Sequence, residues 1–336
     1  MPITAGLRFC PFDEVADEPN IVVDATPTTN TTLTLSHWPG SPPVAADIQA
    51  DLSAQMAFRY LDHHTSMHGA ATAVSTNHFD QDGLVGIYAL LSPADAMARR
   101  PQLEDLAAAG DFGTYRFRDS ARASMVVSAF TDPDRSPLGT LPTGYGERTR
   151  HLYEEVLPRL PDLVDRVEQY RHVWAEEDAA LTASEAAIDG GAVGIDERPD
   201  VDLAVVTVPS PSSWWGHRFA GERYSAIHPM AIHNRTERGA LLLVANGSYR
   251  FTYRYESWVE YRSRAIRPRV DLSALAEELT AADDVTWTSD SATVLTPELA
   301  PTAGASSSLE PSDVIARVVR HLHTAPTAFD PHATPS

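Results

Sequence analysis

Lysine is missing altogether from the 336 residues, so all 26 basic side chains are arginine. Without lysine the chain can form no Schiff base, anchor no pyridoxal phosphate and build no phosphate loop of the Gly-x-x-x-x-Gly-Lys kind. Any phosphate or carboxylate it binds must be met by arginine, by backbone amides or by metal. Cysteine occurs once, as Cys10, which excludes an internal disulfide framework, a cysteine-built zinc cage and a thiolate-held iron–sulfur cluster. No run reaches the roughly 18 apolar residues of a membrane-spanning helix. Acidic residues also stand near the N-terminus where a secretory signal would be basic and then apolar. A cytoplasmic chain with no membrane partner is therefore expected. Neither a Gly-x-Ser-x-Gly elbow nor a Gly-x-Gly-x-x-Gly fingerprint occurs, so nothing points to a serine hydrolase or a dinucleotide enzyme. The formal charge of −20 points away from long nucleic acid, which needs a basic stripe, and leaves a small anionic substrate open.

The length suits two domains of ordinary size. Asn20–Val23 reads as a short buried strand ending at Asp24, and Thr32–Ser36 as a second strand ending at His37. Residues 45–62 carry helical spacing, with Ile48, Leu52, Met56 and Tyr60 along one face. Residues 71–76 read as a third strand, then an Asp-rich loop, then a helix from Leu84 directly after Gly83. Another helix covers about 101–109 and stops at Gly110-Asp111, and helices fill 149–184. After Asp189-Gly190-Gly191 the apolar runs shorten into strand-like pieces, Val201–Val208, Tyr224–Ile232, Gly239–Val244 and Ser248–Tyr255. A helix capped near Asp271 follows, then a Pro-, Ala- and Ser-rich loop over 297–309 and a last amphipathic helix around Val314–Leu322. The expected fold is α/β: a mostly parallel sheet with flanking helices, plus a smaller C-terminal α/β domain and an active cleft between them. The expected boundaries are a metal-binding domain over 1–148, a helical connector over 149–189, a substrate-binding domain over 190–325 and a disordered tail over 326–336.

Strand, acidic loop, helix is how open α/β sheets present ligand-binding residues at the carboxyl ends of their strands. His78, Asp80 and Asp82 lie within five residues in such a place, and divalent metals want oxygen and imidazole ligands in that density. A solvated Asp-Gly turn would give the same residues. Further ligands would have to come from other strand or helix ends, and Asp24, His37 and Asp111 occupy such positions. Asp62-His63-His64 ends a helical pattern, and the Trp214-Trp215-Gly216-His217-Arg218 cluster suits either ring stacking or core packing.

The segment His78-Phe79-Asp80-Gln81-Asp82-Gly83-Leu84-Val85-Gly86 resembles the motif of the DHH phosphoesterase superfamily, which includes the family II inorganic pyrophosphatases. Tyr261-Arg262-Ser263-Arg264, followed by Val270–Ala276, is similar to the segment that precedes a short helix in that superfamily's second domain. The resemblance implies that His78 and Asp80 bind one metal, Asp82 a second, and that Asp111, Asp24 and His37 add ligands, with manganese first and magnesium, zinc or iron as other choices. Two features differ from the superfamily's pattern: Asp24 and His37 precede the Asp-x-Asp motif, and Ala281–Trp287 stands where a Gly-Gly-Gly-His segment is expected.

The expected activity is a two-metal phosphohydrolase in which Asp80 and Asp82 carry the catalytic ions. Arg262 and Arg264, with His228 or His233 as weaker candidates, would meet the phosphoryl oxygens of a small-molecule substrate. The alternatives are a metal enzyme for an amide or carboxylate substrate, and an inactive ligand-binding protein on the same scaffold.

Overall fold

The computed structural model describes residues 6–63, 70–209, 227–245, 247–303 and 305–333, with the backbone of Trp215–Gly216 and Arg223–Tyr224. The fold is mixed α/β. The chain divides into two compact units, Met1–Asp178 with Tyr261–Ser263, and Ala179–Glu260 with Arg264–Ser336. Among the described residues no helix is long and apolar enough to cross a membrane. His64, Trp214, His217 and Arg218, singled out above, lie outside the described residues.

The first unit is built on a four-stranded, wholly parallel sheet in the order β1-β4-β2-β3. Its strands are β1 (Arg8–Phe9), β2 (Asn20–Val23), β3 (Thr31–Leu35) and β4 (Ala73–Ser75). Helices α1 (Ser53–His63), α2 (Gln81–Leu91), α3 (Pro93–Ala98), α4 (Arg100–Asp111), α5 (Arg118–Thr131), α6 (Tyr145–Val156) and α7 (Leu160–Asp165) follow in chain order around β4. Helix α8 (Arg171–Asp189) comes next. Parallel strands need long crossovers and are buried on both faces, which explains why β2 and β4 are buried at every position.

Helix α2 is buried from Gln81 through Leu90, the condition of a helix inside the core. Gly86 makes that possible: a Cβ there would stand 2.6 Å from Val23 Cγ1 and 3.5 Å from the Ala54 Cα. Gly86→Ala should therefore force α2 off β2 and α1, at a cost of about 1–3 kcal/mol for overpacking. Chemical denaturation of the variant measures this, and an unchanged midpoint would show that the helix yields freely.

The second unit carries a six-stranded mixed sheet in the order β12-β13-β10-β9-β6-β5. Its strands are β5 (Gly194–Arg198), β6 (Leu203–Thr207), β9 (Ala240–Ala245), β10 (Ser248–Tyr253), β12 (Trp287–Ser289) and β13 (Glu298–Pro301). Only the β6–β9 pair is parallel. Two short antiparallel pairs complete the strands: β7 (Trp215–Gly216) with β8 (Arg223–Tyr224), and β11 (Arg269–Val270) with β14 (Thr327–Phe329). Helices α9 (Pro229–His233), α10 (Ser273–Ala282) and α11 (Pro311–Thr324) belong to this unit. One core joins the sheet to α10 and α11 through Leu242, Phe251, Leu275, Leu279, Val314 and Val318.

Several elements depart from the sequence reading for identifiable reasons. The first helix starts at Ser53 instead of near 45, because its first N–H groups are met by a distant carboxylate, Asp82. Tyr224–Ile232 is not one strand: Pro229 opens α9, and the His228 imidazole caps it by accepting the Met230 N–H at 3.2 Å. Within the loop expected over 297–309, Glu298–Pro301 is a strand hydrogen-bonded on both sides, with Leu299 fully buried. Thr327–Phe329, within the stretch expected as tail, pairs with β11.

Candidate metal centre

Three parallel strands deliver the centre. The chain leaves β2 at Asp24, leaves β3 through Ser36 to His37, and leaves β4 through Thr76 and Asn77 to His78. These are adjacent carboxyl ends of one sheet, the place where such sheets bind ligands. Asp24 adopts φ 50, a left-handed conformation that costs a non-glycine residue of order 1 kcal/mol or more and is found where the surroundings over-determine it.

Helix α2 supplies two carboxylates from its first turn. Asp80 is its N-cap, with Oδ1 accepting the Gly83 N–H at 2.7 Å. The helix thus begins at Gln81, three residues before the expected start, and the acidic segment is a cap and a helical turn instead of a loop. Gly83 is helical and needs no unusual φ; what requires glycine is close approach, since a Cβ would lie 2.8 Å from the Tyr153 hydroxyl. Asp82 points toward the start of α1, where its two oxygens accept the Ser53 and Ala54 N–H groups, each at 2.8 Å. A helix N-terminus is a natural seat for an anion. Asp111, the last residue of α4, completes the set.

These side chains form two groups that share Asp24. In the first, Asp24, His37, Asp82 and Asp111 are all buried, and each offers a ligand atom within 4.8 Å of the others. His37 Nε2 stands 3.3 Å from Asp24 Oδ1, 3.8 Å from Asp82 Oδ2 and 3.7 Å from Asp111 Oδ2. In the second group, His78 Nε2 stands 3.3 Å from Asp24 Oδ2 and 2.9 Å from Asp80 Oδ2. His78 is partly exposed, so this group is the one nearer solvent. Trp38 flanks it, with its ring 5.6 Å from the His78 imidazole.

The ring of His37 is fixed from behind. Its Nδ1 lies 2.5 Å from the Asp51 carbonyl oxygen, which can only accept, so Nδ1 carries hydrogen and Nε2 faces the carboxylates. Ligating histidines are oriented in this way. The Asp51 carboxylate in turn accepts the Arg262 and Ser263 N–H groups at 2.6 and 2.9 Å, and Tyr261 packs edge-on against Phe112. Ser53 Oγ donates to Asp24 Oδ1 at 2.8 Å.

Four carboxylates in one buried place disturb one another. Burial, and then the negative charge of Asp24, push Asp82 up to about 6. Burial also raises Asp24, but the His37 and His78 imidazoles outweigh it and hold that carboxyl well below the usual range. For His37 burial favours the neutral ring, and Asp24 with Asp82 reverses the balance and raises its pKa. Apart from the His78 imidazole at 3.3 Å, the buried Asp24 Oδ2 has no hydrogen-bond partner among the described residues, an uncommon state for a carboxylate oxygen. Oxygen-rich donors with one imidazole in each group match a hard or borderline divalent cation.

All six residues expected as ligands, Asp24, His37, His78, Asp80, Asp82 and Asp111, thus come together. Of the arginines, Arg262 belongs to the first unit, exposed and held by its backbone on Asp51. Arg264 belongs to the second, 4.0 Å from Glu256. His228 is occupied as the α9 cap. Asp62 and His63 close α1 at the surface, where Asp62 pairs with Arg100. Asp51, Ser53 and Tyr153 were not singled out in the sequence.

The model of a family described as one of unknown function, DUF6687, matches residues 5–333. No curated protein and no solved structure matches the chain.

Proposed function

The chain belongs to the DUF6687 family, whose function is unknown, and we propose that it is a divalent-metal-dependent phosphohydrolase acting on a small anionic substrate. The observation that carries this reading is the pair of Asp/His groups joined through Asp24 at the carboxyl ends of three parallel strands. Asp24, His37, Asp82 and Asp111 would hold one ion, and Asp24, His78 and Asp80 another. Manganese is first choice from the resemblance to the DHH phosphoesterases, ahead of magnesium, zinc or iron. Paired divalent ions supply Lewis-acid activation of water and neutralise charge on transferring phosphoryl oxygens.

The chain's own residues then have separable tasks. Asp51 and the N-terminus of α1 keep His37 and Asp82 facing inward. Asp80 fixes the start of α2 with one oxygen and leaves the other beside His78. Arg262 and Arg264 are the proposed partners of the phosphoryl oxygens, since no lysine exists to take that role.

The direct test is elemental analysis of purified protein, followed by a phosphoester panel with each candidate metal. Metal-dependent cleavage abolished by chelation is the expected result. If ions bind but no phosphoester is cleaved, the reading gives way to a metal enzyme for amide or carboxylate substrates, consistent with Ala281–Trp287 in place of the Gly-Gly-Gly-His segment. Arg262→Ala and Arg264→Ala should lower turnover about 100- to 1000-fold, the usual effect of losing one donor to developing charge. Metal content should stay intact in both, and parental turnover in both would remove the arginines from the reaction.

A further inference from the structure

Tyr153, on α6, is fully buried, and its hydroxyl has no hydrogen-bond partner among the described residues. A buried tyrosine hydroxyl ordinarily finds one. Its ring is clamped: Phe9 stacks on it at 4.8 Å, and Phe79, which sits between the two ligands His78 and Asp80, meets it edge-on at 5.0 Å. The hydroxyl is thereby pressed against the bare side of Gly83. On that side, the position a Cβ would occupy lies 2.8 Å from the Tyr153 hydroxyl, 3.2 Å from Asp80 Oδ1 and 3.7 Å from Thr76 Oγ1. With an ordinary pKa of about 10, a phenol is protonated at neutral pH, and so a donor.

We infer that Tyr153 is a positioning residue of the metal centre, whose hydroxyl donates to the Asp80 carboxylate when that carboxylate holds a cation. This rests on the metal-binding reading above. Asp80 Oδ1 already accepts one N–H from Gly83, and a carboxylate oxygen has room for a second donor. Such a donor would orient the opposite oxygen, Oδ2, which lies beside His78 Nε2. Glycine at 83 is what lets a side chain from α6 reach the first turn of α2.

The test is a titration of chelator-stripped full-length protein with manganese, beside thermal unfolding of the same metal-free samples. Tyr153→Phe removes only the hydroxyl. It should weaken manganese binding at one of the two groups about 10- to 100-fold, as loss of a ligand's supporting hydrogen bond does. The metal-free variant should melt at the parental temperature or above, because the deleted oxygen had no partner to lose. Those opposite signs separate positioning from packing: unchanged affinity with a lowered metal-free melting temperature would overturn the inference. Gly83→Ala gives an independent check, since its methyl would displace the hydroxyl. It should weaken binding in the parent and do so much less in the Tyr153→Phe background, whereas an equal loss in both backgrounds would count against the proposal. A parent that binds no manganese or other divalent cation would overturn the metal reading itself, and a parent that binds while Tyr153→Phe binds equally well would overturn only the role of Tyr153.

Discussion

Asp24→Ala should empty the centre of metal entirely, whereas Asp111→Ala and Asp80→Ala should each leave one ion behind. Asp24 alone belongs to both groups, and Asp111 and Asp80 to one each. Metal content after extensive dialysis would therefore fall from about two ions per chain to none in the first variant, and to about one in the others. The same ranking should appear in stability. A cation bound only by the folded chain at about 1,000 times its dissociation constant adds roughly 4 kcal/mol. For a unit of this size that is a rise in melting temperature of roughly 8–16 °C. The parent should show that rise on addition of manganese and lose it to a chelator, and Asp24→Ala should show none. Without a cation Asp24 is the carboxylate that the His37 and His78 imidazoles face and that Ser53 Oγ donates to, so Asp24→Ala should leave the metal-free protein no more stable than the parent. Metal content unchanged in Asp24→Ala would remove the shared-ligand reading, whatever the activity.

Strands β2, β3 and β4 were legible because each is a short run of β-forming residues ending at a polar residue, and a parallel sheet buries such runs, whereas the two-residue β1, Arg8–Phe9, carries no such signal. That logic also exposed Asp24, His37 and His78, since the residue after a buried strand lies at the sheet's carboxyl edge. Asp80 and Asp82 were legible by their spacing, but their structural roles were not. That Asp82 caps α1 from 29 residues away, and that Asp51 orients His37 through its backbone carbonyl, are long-range hydrogen bonds with no local signature. Tyr153 is hidden for another reason: within a helical pattern an aromatic residue reads as core, and only the path of α6 beside Gly83 brings its hydroxyl to the centre. In the second unit, Pro229 hid a helix inside an apolar stretch, and the composition of 297–309 hid a strand whose pairing is supplied by distant partners.

Arg269 was equally invisible, and replacing it should be the most damaging single change in the second unit. Its side chain is fully buried and makes no ion pair among the described residues. Instead its guanidinium donates to the Ser257 hydroxyl at 2.8 Å and to the carbonyls of Ala292, Val294 and Leu295 at 2.9, 2.6 and 2.8 Å, with the Arg254 carbonyl at 3.5 Å. The rings of Tyr253 and Phe329 lie 5.6 and 5.3 Å from its central carbon. Burial pushes this guanidinium down to about 9, with Tyr253 and Tyr255 opposing the shift, so it remains charged at neutral pH. One fork therefore ties β11 to the 292–295 segment and to the chain after β10. Arg269→Met would strand several of these carbonyls, each orphaned group costing about 1–3 kcal/mol, for a total loss of order 3–5 kcal/mol. Arg269→Lys keeps the charge but not the planar fork, and should recover less than half of that loss. Denaturant unfolding of both variants measures it. If the lysine variant matches the parent, charge alone holds the segment, and the fork geometry is irrelevant to stability.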